Sequence, residues 1–543
     1  MASCLLFLRQ RLHSLGEGQI LRELLLQGAY LPKDTGPAGP AAFILLFTEH
    51  PPFFMMLNVI ITHVYVCLPA SCLCLIERKE VPFLTLHSTR ASAPPVRPER
   101  PGGEILTHRT FLALSIPLML SALSTPLLGV VDTAVIGRIP DPSLLGGVAV
   151  GTLIFNTLYW LLGFLRVSTS GFTAQAQGAG DPAGLSLSFY RPLLLAGVFG
   201  LLLVLLQSPI RDVSLALMTA GPEVEGYAGV YYNIRIWGAP FALANYVVMG
   251  WLIGVSRVKG AMFLQIGMNL SNILLCLLLV GALKMEVTGV AWATLLSEVG
   301  AAAAGVIWVL MLQRRGRGGA SLRNVINLRP MMQMLKVNRD LLIRTACLLA
   351  VFFLFTSRGA ALGEDTLAAN AILLQIHYVM AYLYDGFANA SSILTGRALG
   401  ERSAVLYRRA VRLGGIWSFG LSAVLTVIVL LWGSELLTLF TGMPEVLELA
   451  RQYLPWLLLY PLAGFWGLQL YGVFAGATMA GPIRNSLVFS LAVFIPLLFL
   501  TVPPLGNHGL WLSFIVFTLG RSVFLWMYLP RLNRLFLTEK SAG

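Results

Sequence analysis

The feature that most constrains this chain is the regular recurrence of long apolar runs between position 107 and the C-terminus. A helix needs about 20 apolar residues to cross the hydrocarbon core of a bilayer, where no water can satisfy an open backbone. The whole chain is 57% hydrophobic and 12% charged, which is more apolar surface than a water-soluble domain can cover. We therefore predict an all-α, polytopic integral membrane protein.

The apolar runs also repeat as two halves of six. Residues 173–178 (TAQAQG) resemble residues 395–400 (TGRALG), and the same spacing of 222 positions pairs Gly137 with Gly359. Because six is even, both halves begin on the same side of the membrane, and their pseudo-two-fold axis runs along the membrane normal. Such twin lobes form a cleft suited to alternating access. The twelve predicted spans are 109–132, 144–168, 189–207, 231–254, 261–281, 287–312, 340–360, 367–393, 411–431, 453–476, 485–503 and 509–529.

The net charge of +13 comes largely from Lys and Arg in the short loops after the even-numbered spans. This is the positive-inside pattern of a membrane protein, and it argues against nucleic acid as a partner. We expect these loops, and both ends of the transporter core, to face the cytoplasm of a bacterial inner (plasma) membrane. The predicted parts are an N-terminal extension (1–103), an N-lobe with spans 1–6 (104–312), a cytoplasmic connector (313–340), a C-lobe with spans 7–12 (341–534) and a tail (535–543).

The first 103 residues lack this organisation. The apolar stretch Ala41–Glu77 is interrupted by charged residues and prolines, and Arg78–Gly103 is rich in Arg, Pro and Ser, which predicts a poorly ordered linker. A targeting segment, an extra membrane anchor and sequence upstream of the true start all fit this composition. We favour a non-essential extension or a misassigned start.

Three acidic residues lie at or within the spans: Asp132, Glu298 and Asp385. A carboxylate in hydrocarbon costs about 2.5–3.5 kcal/mol, so each needs a physical reason to be there. Asp132 ends a span that also contains Pro117, which removes a backbone hydrogen bond and permits bending. Burial favours the neutral form of a carboxylic acid, so we predict that Asp132 acts as a proton switch on a bendable helix. The alternative is a structural hydrogen bond at a helix end.

The other polar residues in the spans leave alternatives open. Asp385 either contacts Arg166 across the lobes or pairs locally with backbone, and Glu298 either lines the same lobe as Asp132 or occupies an interfacial polar pocket. Two amides one turn apart in span 5, Asn269 and Asn272, hold helices together or complete a proton or cation site with Asp132. His377 in span 8 reads as an interior histidine.

At these residues the chain resembles the MATE (multidrug and toxic compound extrusion) family, specifically its DinF-like branch. The resemblance covers 105–530 and is carried by Pro126–Gly137 (PLLGVVDTAVIG), by 164–176 (FLRVSTSGFTAQA) and by Asp385-Gly-Phe-Ala. It implies twelve helices in two lobes around a V-shaped cavity. It also implies antiport of protons or Na⁺ against amphipathic, often cationic organic compounds.

The resemblance further implies roles for single residues. Asp132 matches the family's first-helix acidic residue, Pro117 its bending proline, and Asn272 and Thr294 the polar partners of that carboxylate. Where the family often has an aspartate, one turn after the span-5 asparagine, this chain has Cys276. Because hard cations prefer oxygen-rich cages, this departure favours H⁺ over Na⁺ as the coupling ion. No other cofactor is implied.

We therefore expect a monomeric secondary active transporter, a cation-coupled antiporter that exports amphipathic or cationic small organic molecules. The alternative is a flippase for a lipid-linked or amphipathic substrate, for which Arg166 and Arg358 would supply a cationic cavity. An enzyme is not expected, because the sequence has no nucleotide-binding loop, no zinc-protease motif and no convincing Ser-His-Asp set. The six cysteines show no metal-ligand spacing, so no metal site is predicted.

Overall fold

The structure is a computed structural model that describes residues 106–136, 141–218, 221–315 and 322–537, with the side chains of 125–136, 315, 322 and 537 left aside. The predicted extension, most of the tail and the side chain of Asp132 therefore lie outside the described part. Within these ranges the regular structure is helical throughout, without strands. Spans 1 to 12 are His108–Ile136, Pro142–Ala179, Pro182–Leu205, Pro222–Gly254, Val258–Ala282, Glu286–Arg315, Leu328–Ala360, Glu364–Gly400, Ala404–Thr438, Pro444–Gly476, Ala480–Leu505 and Asn507–Phe536.

The prediction of twelve helical spans is confirmed. Eleven helices in the described residues are long and apolar enough to cross a membrane, and the first helix, of 29 residues, occupies the place of predicted span 1. Several helices are longer than predicted: span 8 has 37 residues and begins at Glu364 rather than 367. Hydropathy detects only the part of a helix that lies in hydrocarbon, whereas backbone hydrogen bonding continues into the polar loops.

The helix starts follow local chemistry in the sequence. Asp141 and Asp181 cap spans 2 and 3, each accepting a hydrogen bond from the backbone two residues later at 2.8 and 3.0 Å. Each cap is followed by a proline, whose fixed φ suits the first helical position. Ser403 caps span 9 in the same way through the amide of Leu406.

Three spans deviate from regular α-helix. Span 2 has a turn at Gly163, span 4 contains a 3₁₀ turn at Ile236–Gly238, and span 5 ends in a π-helical segment at Leu277–Ala282. Such irregular turns recur at functional sites because they redirect side chains and free backbone groups. All three lie close to polar residues of the spans.

The two halves repeat the same pairings of helices. Spans 2 and 4 pack together as spans 8 and 10 do, spans 1 and 5 as 7 and 11, and spans 5 and 6 as 11 and 12. The match extends to single residues 222 positions apart: Gly250 lies against the backbone of Arg166, and Gly472 lies against the backbone of Ala388. A side chain at either glycine would collide with that backbone. Small residues of this kind allow the close helix approach on which packing in lipid depends.

Contacts between the lobes concentrate toward one side of the membrane, which we call the basic side because it carries the loops after the even-numbered spans. Span 8 packs closely on Phe164–Ala179 of span 2, while its packing against Pro142–Leu162 is slight. At the basic side the backbones meet in a symmetric pair: Gly178 lies against Arg397, and Gly400 lies against Gln175. The lobes are therefore joined at the basic side and separate toward the other.

We predict that Gly472→Val destabilises the folded protein, because valine cannot fit against the backbone of Ala388. The expected loss is about 1–3 kcal/mol, the usual cost of overpacking. The measurement is thermal unfolding in detergent, followed by fluorescence-detected size exclusion. Gly420→Val is the matched control, since nothing lies within 4 Å of a side chain at that helical position. Equal unfolding temperatures for the two variants would contradict the prediction.

Candidate functional site

A cluster of amides and hydroxyls joins spans 1, 5 and 6 in the N-lobe. Asn272 and Thr294 are 3% and 8% exposed, and the amide of Asn272 donates to the Thr294 hydroxyl at 3.1 Å. That hydroxyl in turn donates to the carbonyl of Val290. The structure thus brings together the two residues that the family resemblance implies as partners of the coupling carboxylate.

The second span-5 amide reaches span 1. Asn269 is buried, donates to the hydroxyl of Ser124 at 2.9 Å and accepts from Gln265 at 3.2 Å. Spans 1 and 5 run in the same direction, so Asp132, eight residues after Ser124, lies further toward the side opposite the basic side. There the backbone of span 1 packs on the π-helical segment Leu277–Ala282.

Pro117 lies inside span 1, where it is buried and the helix continues on both sides of it. Its ring removes one hydrogen bond from the helix, so bending there costs less than at any neighbouring position. Two residues further along, Met119 lies against Gly386 of span 8. Nearer the start of the span, the ring of Phe111 stacks on Phe387 at 5.9 Å. Span 1 therefore connects the polar cluster of the N-lobe to the C-lobe.

Glu298 is not interfacial: it is buried in the N-lobe interior, 8% exposed, at 3.5 Å from Arg235 of span 4. Arg235 also donates to the Tyr231 hydroxyl at 2.8 Å and lies 4.8 Å over the ring of Phe155. One carboxylate oxygen of Glu298 and the hydroxyl of Tyr159 are buried without a hydrogen-bond partner among the described residues. Arg235 and Glu298 thus form a buried ion pair whose opposite charges balance each other within the lobe.

Sequence reasoning missed Arg235. It lies four residues after the predicted start of span 4, so it reads as a basic residue at a helix end rather than as an interior one. The available signal was its position one turn after Tyr231 in an aromatic stretch, Tyr231-Tyr-Asn-Ile-Arg235, since aromatic faces attract guanidinium groups.

Arg166 and Asp385 meet across the lobes, with 3.4 Å between a guanidinium nitrogen and a carboxylate oxygen. Asp385 also pairs locally, because the amide of Asn389 donates to its carboxylate at 2.9 Å and to its backbone carbonyl at 2.7 Å. The contact across the lobes is thus present, and the local partner of the Asp385 carboxylate is a side-chain amide rather than backbone. The two charged side chains remain 36% and 31% exposed, so the pair borders the cleft. Arg358 lies elsewhere, 4.6 Å over the ring of Phe499 in span 11.

Two further residues lie in apolar surroundings. His377 is 4% exposed and packs edge-on against Tyr460 at 4.0 Å, as expected of an interior histidine. Cys276, one turn after Asn272, is 1% exposed. In the described part of the chain, no three His, Cys, Asp or Glu side chains are grouped closely enough to hold a metal ion.

Comparison with known proteins decides the family. The model of the MatE family matches twice, over residues 117–278 and 341–500, once in each lobe. The chain belongs to the MatE family. It is 40% identical to DNA damage-inducible protein F of Escherichia coli over 411 residues, which cover 74% of this chain and 88% of that protein. The predicted DinF-like branch is therefore confirmed.

More distant MatE relatives support the same fold. The multidrug resistance protein PmpM of Pseudomonas aeruginosa is 24% identical over 79% of this chain and 93% of its own length. A solved multidrug resistance MATE family transporter in an outward-facing conformation superposes with a TM-score of 0.71 at 22% identity, over 79% of this chain and 96% of that one. This MatE chain is thus a multi-pass membrane transporter and not an enzyme.

We predict that Arg235→Gln destabilises the protein by about 3–5 kcal/mol, because it leaves the carboxylate of Glu298 buried without a counter-charge. The double change Arg235→Gln with Glu298→Gln should recover most of that loss. Chemical unfolding in detergent measures both. Arg451→Gln is the control, since its pair with Glu448 is exposed and 3.9 Å long. A double variant no more stable than Arg235→Gln alone would show that charge is not the cause.

Proposed function

We propose that this transporter is a proton-coupled antiporter that exports amphipathic or cationic organic compounds, with Asp132 as the residue that exchanges the proton. The observation that carries the proposal is the polar cluster of the N-lobe, in which Asn269 and Asn272 tie span 5 to spans 1 and 6. A carboxyl group within a membrane helix is costly, and its presence there therefore indicates a function. The family resemblance makes Asn272 and Thr294 of this cluster the polar partners of Asp132, and a charged carboxylate needs hydrogen-bond donors more than a neutral one does.

The proposed cycle begins with a proton from the outside. A charged Asp132 favours hydrogen-bond donors around it, whereas a neutral one no longer requires them, so the packing preferred by span 1 differs between the two states. Pro117 provides the point at which span 1 bends. Because the same helix contacts Gly386 and Phe387, a change in its shape alters the joint between the lobes. Proton binding is thereby linked to release of substrate.

The ligand chemistry favours H⁺ over Na⁺. A sodium site needs several oxygen ligands, and the position one turn after Asn272 has a thiol in place of the carboxylate often found there in the family. The cluster otherwise offers the amide oxygen of Asn272 and the hydroxyl of Thr294, and that hydroxyl accepts from the amide nitrogen of Asn272 at 3.1 Å. One carboxylate is enough for a proton.

Export follows from the direction of the chain in the membrane. The basic side carries the Lys- and Arg-rich loops, which the positive-inside rule assigns to the cytoplasm, with both ends of the transporter core there. Because the lobes are joined on that side, the cleft opens to the outside in this conformation. The name of the Pseudomonas relative, a multidrug resistance protein, supports outward transport of organic compounds. We propose that a single chain carries out this cycle in the bacterial inner membrane.

The flippase alternative rested on a cationic cavity formed by Arg166 and Arg358, and the structure does not favour such a cavity. Arg358 packs on Phe499 in span 11, and Arg166 is paired with Asp385. The cleft-lining pair is therefore neutral rather than cationic. Antiport of organic compounds remains the better account of these residues.

We predict that Asp132→Asn abolishes efflux driven by a pH gradient, because an amide cannot exchange a proton. Uptake of a fluorescent organic cation into inverted vesicles with an acidic lumen measures this as a loss of at least about tenfold in initial rate, the scale of a lost essential group. Asp365→Asn is the control, an exposed carboxylate in the first turn of span 8. A Na⁺ gradient alone should drive no efflux. Full pH-driven efflux by Asp132→Asn would overturn the mechanism.

We also predict the orientation of the loops. In a chain whose native cysteines are replaced by alanine, Glu401→Cys, in the loop after span 8, should react with an impermeant maleimide only after the membrane is opened. Gly442→Cys, in the loop after span 9, should react in intact cells. The reverse pattern would mean that the basic side faces outward and that the proposed direction of transport is wrong.

A further inference from the structure

Two arginines occupy the interior of the C-lobe without a counter-charge among the described residues. Arg344 lies on the inward face of span 7, between the buried Leu341 and Leu348. Arg521 lies on the inward face of span 12, next to the buried Thr518 and Ser522. Both lie within apolar spans, where a cationic side chain is costly and marks a functional site by default.

Both arginines lie beside span 10. Arg344 lies 4.1 Å over the ring of Tyr471 in span 10, and Arg521 is adjacent in sequence to Ser522, whose hydroxyl donates to the carbonyl of Ala463 of the same span at 2.8 Å. Span 12 meets span 10 beside this point, where the amide of Gly467 donates to the hydroxyl of Ser522 at 3.0 Å. Spans 7, 10 and 12 thus bring two positive charges and one aromatic face together.

Neither arginine is neutralised by the described residues. No carboxylate lies within ion-pair distance of either, and the Nε atom of Arg344 is buried without a hydrogen-bond partner. The nearest acid along span 7, Asp340, is held by Arg484 at 2.8 Å and by Arg339 at 3.0 Å. Arg344 and Arg521 are each of intermediate exposure as whole residues.

Two arginines described elsewhere in the membrane interior have acidic partners. In the N-lobe, Arg235 is balanced by Glu298, and at the cleft Arg166 is balanced by Asp385. Gly472, next to Tyr471, lies against the backbone of Ala388, three residues from Asp385. The arginine pair is therefore about one helical turn from the level of the cleft-lining ion pair.

We propose that Arg344, Arg521 and Tyr471 form a binding site for the anionic headgroup of an amphiphile, a carboxylate or phosphate attached to an apolar body. A guanidinium offers paired donors that match the oxygens of such a headgroup, and the aromatic ring holds Arg344 in place. The surrounding apolar helices suit the hydrocarbon part. This inference rests on the proposed transport function only in supposing that the cleft admits substrate, and it widens the substrate class to anionic and zwitterionic amphiphiles.

The test is equilibrium binding in nanodiscs of neutral phosphatidylcholine, without any ion gradient, so that it does not depend on proton coupling. The probes are fluorescently labelled dodecanoate, its methyl ester and the dodecyl-trimethylammonium analogue with the same tail and label. We expect dodecanoate to bind at least about tenfold more tightly than its ester. Arg344→Gln and Arg521→Gln should each weaken dodecanoate binding about tenfold while leaving the cationic probe unaffected.

Matched variants separate binding from folding. Arg358→Gln, in the same span as Arg344 but packed on Phe499, should bind dodecanoate like the parent chain. Arg344→Lys should restore much of the affinity that Arg344→Gln loses, because it keeps the charge. Equal binding of dodecanoate and its ester overturns the proposal, and so does unchanged dodecanoate binding by both glutamine variants.

Adding an anionic lipid to the nanodiscs distinguishes the two possible sources of the anionic headgroup, a membrane lipid and a free amphiphile. If phosphatidylglycerol added to the nanodiscs weakens dodecanoate binding to the parent chain but not the residual binding to Arg344→Gln, an anionic membrane lipid occupies the site. If phosphatidylglycerol has no effect while the headgroup preference persists, the site takes a free amphiphile. Full pH-driven efflux by Asp132→Asn, which would overturn the proposed mechanism, would leave either binding result unchanged, so the two proposals can fail separately.

Discussion

Close backbone contact at glycine is the interaction on which the rest of this structure depends. In lipid, apolar side chains gain nothing by turning away from the solvent, so helices are held by tight packing and by hydrogen bonds between them. Gly250 and Gly472 supply that packing at equivalent places in the two lobes, and Gly178 and Gly400 supply it between them. With the lobes joined at the basic side, the other side is free to part. The cleft is a consequence of where the glycines lie.

The lobes share this scaffold but differ in charge. The N-lobe has a hydrogen-bonded cluster around span 5 and a neutral buried pair, Arg235 with Glu298. At the corresponding depth the C-lobe has Arg344 and Arg521, without acidic partners among the described residues. Two copies of one fold thereby differ in chemistry: one lobe is proposed to exchange the proton, and the other contains two cationic side chains. Span 1 links them, because it bonds to Asn269 in one lobe and packs on the other.

Much of the site could be located from the sequence, but not its pairings. The spans, the repeat and the positions of Asn272, Thr294 and Glu298 inside them follow from hydropathy and spacing. Arg235 was missed because the predicted span began only four residues before it. Without that partner, the sequence could not decide whether Glu298 lies in the lobe interior or in an interfacial pocket. The role of Asp132 stays a prediction. Arg358, offered as part of a cationic cavity, points instead toward span 11.

By itself the sequence determined the class of protein, the number of spans, the parallel repeat and the side of the membrane each loop is expected to face. These properties depend on residues that are close together in the sequence, because the cost of a polar group in hydrocarbon depends on its position along a single helix. Only the tertiary structure decided which charges meet, as with Arg166 and Asp385, 219 positions apart, and which have no partner. The pairing of charged side chains depends on how each helix is rotated about its axis relative to its neighbours, and hydropathy does not report that rotation.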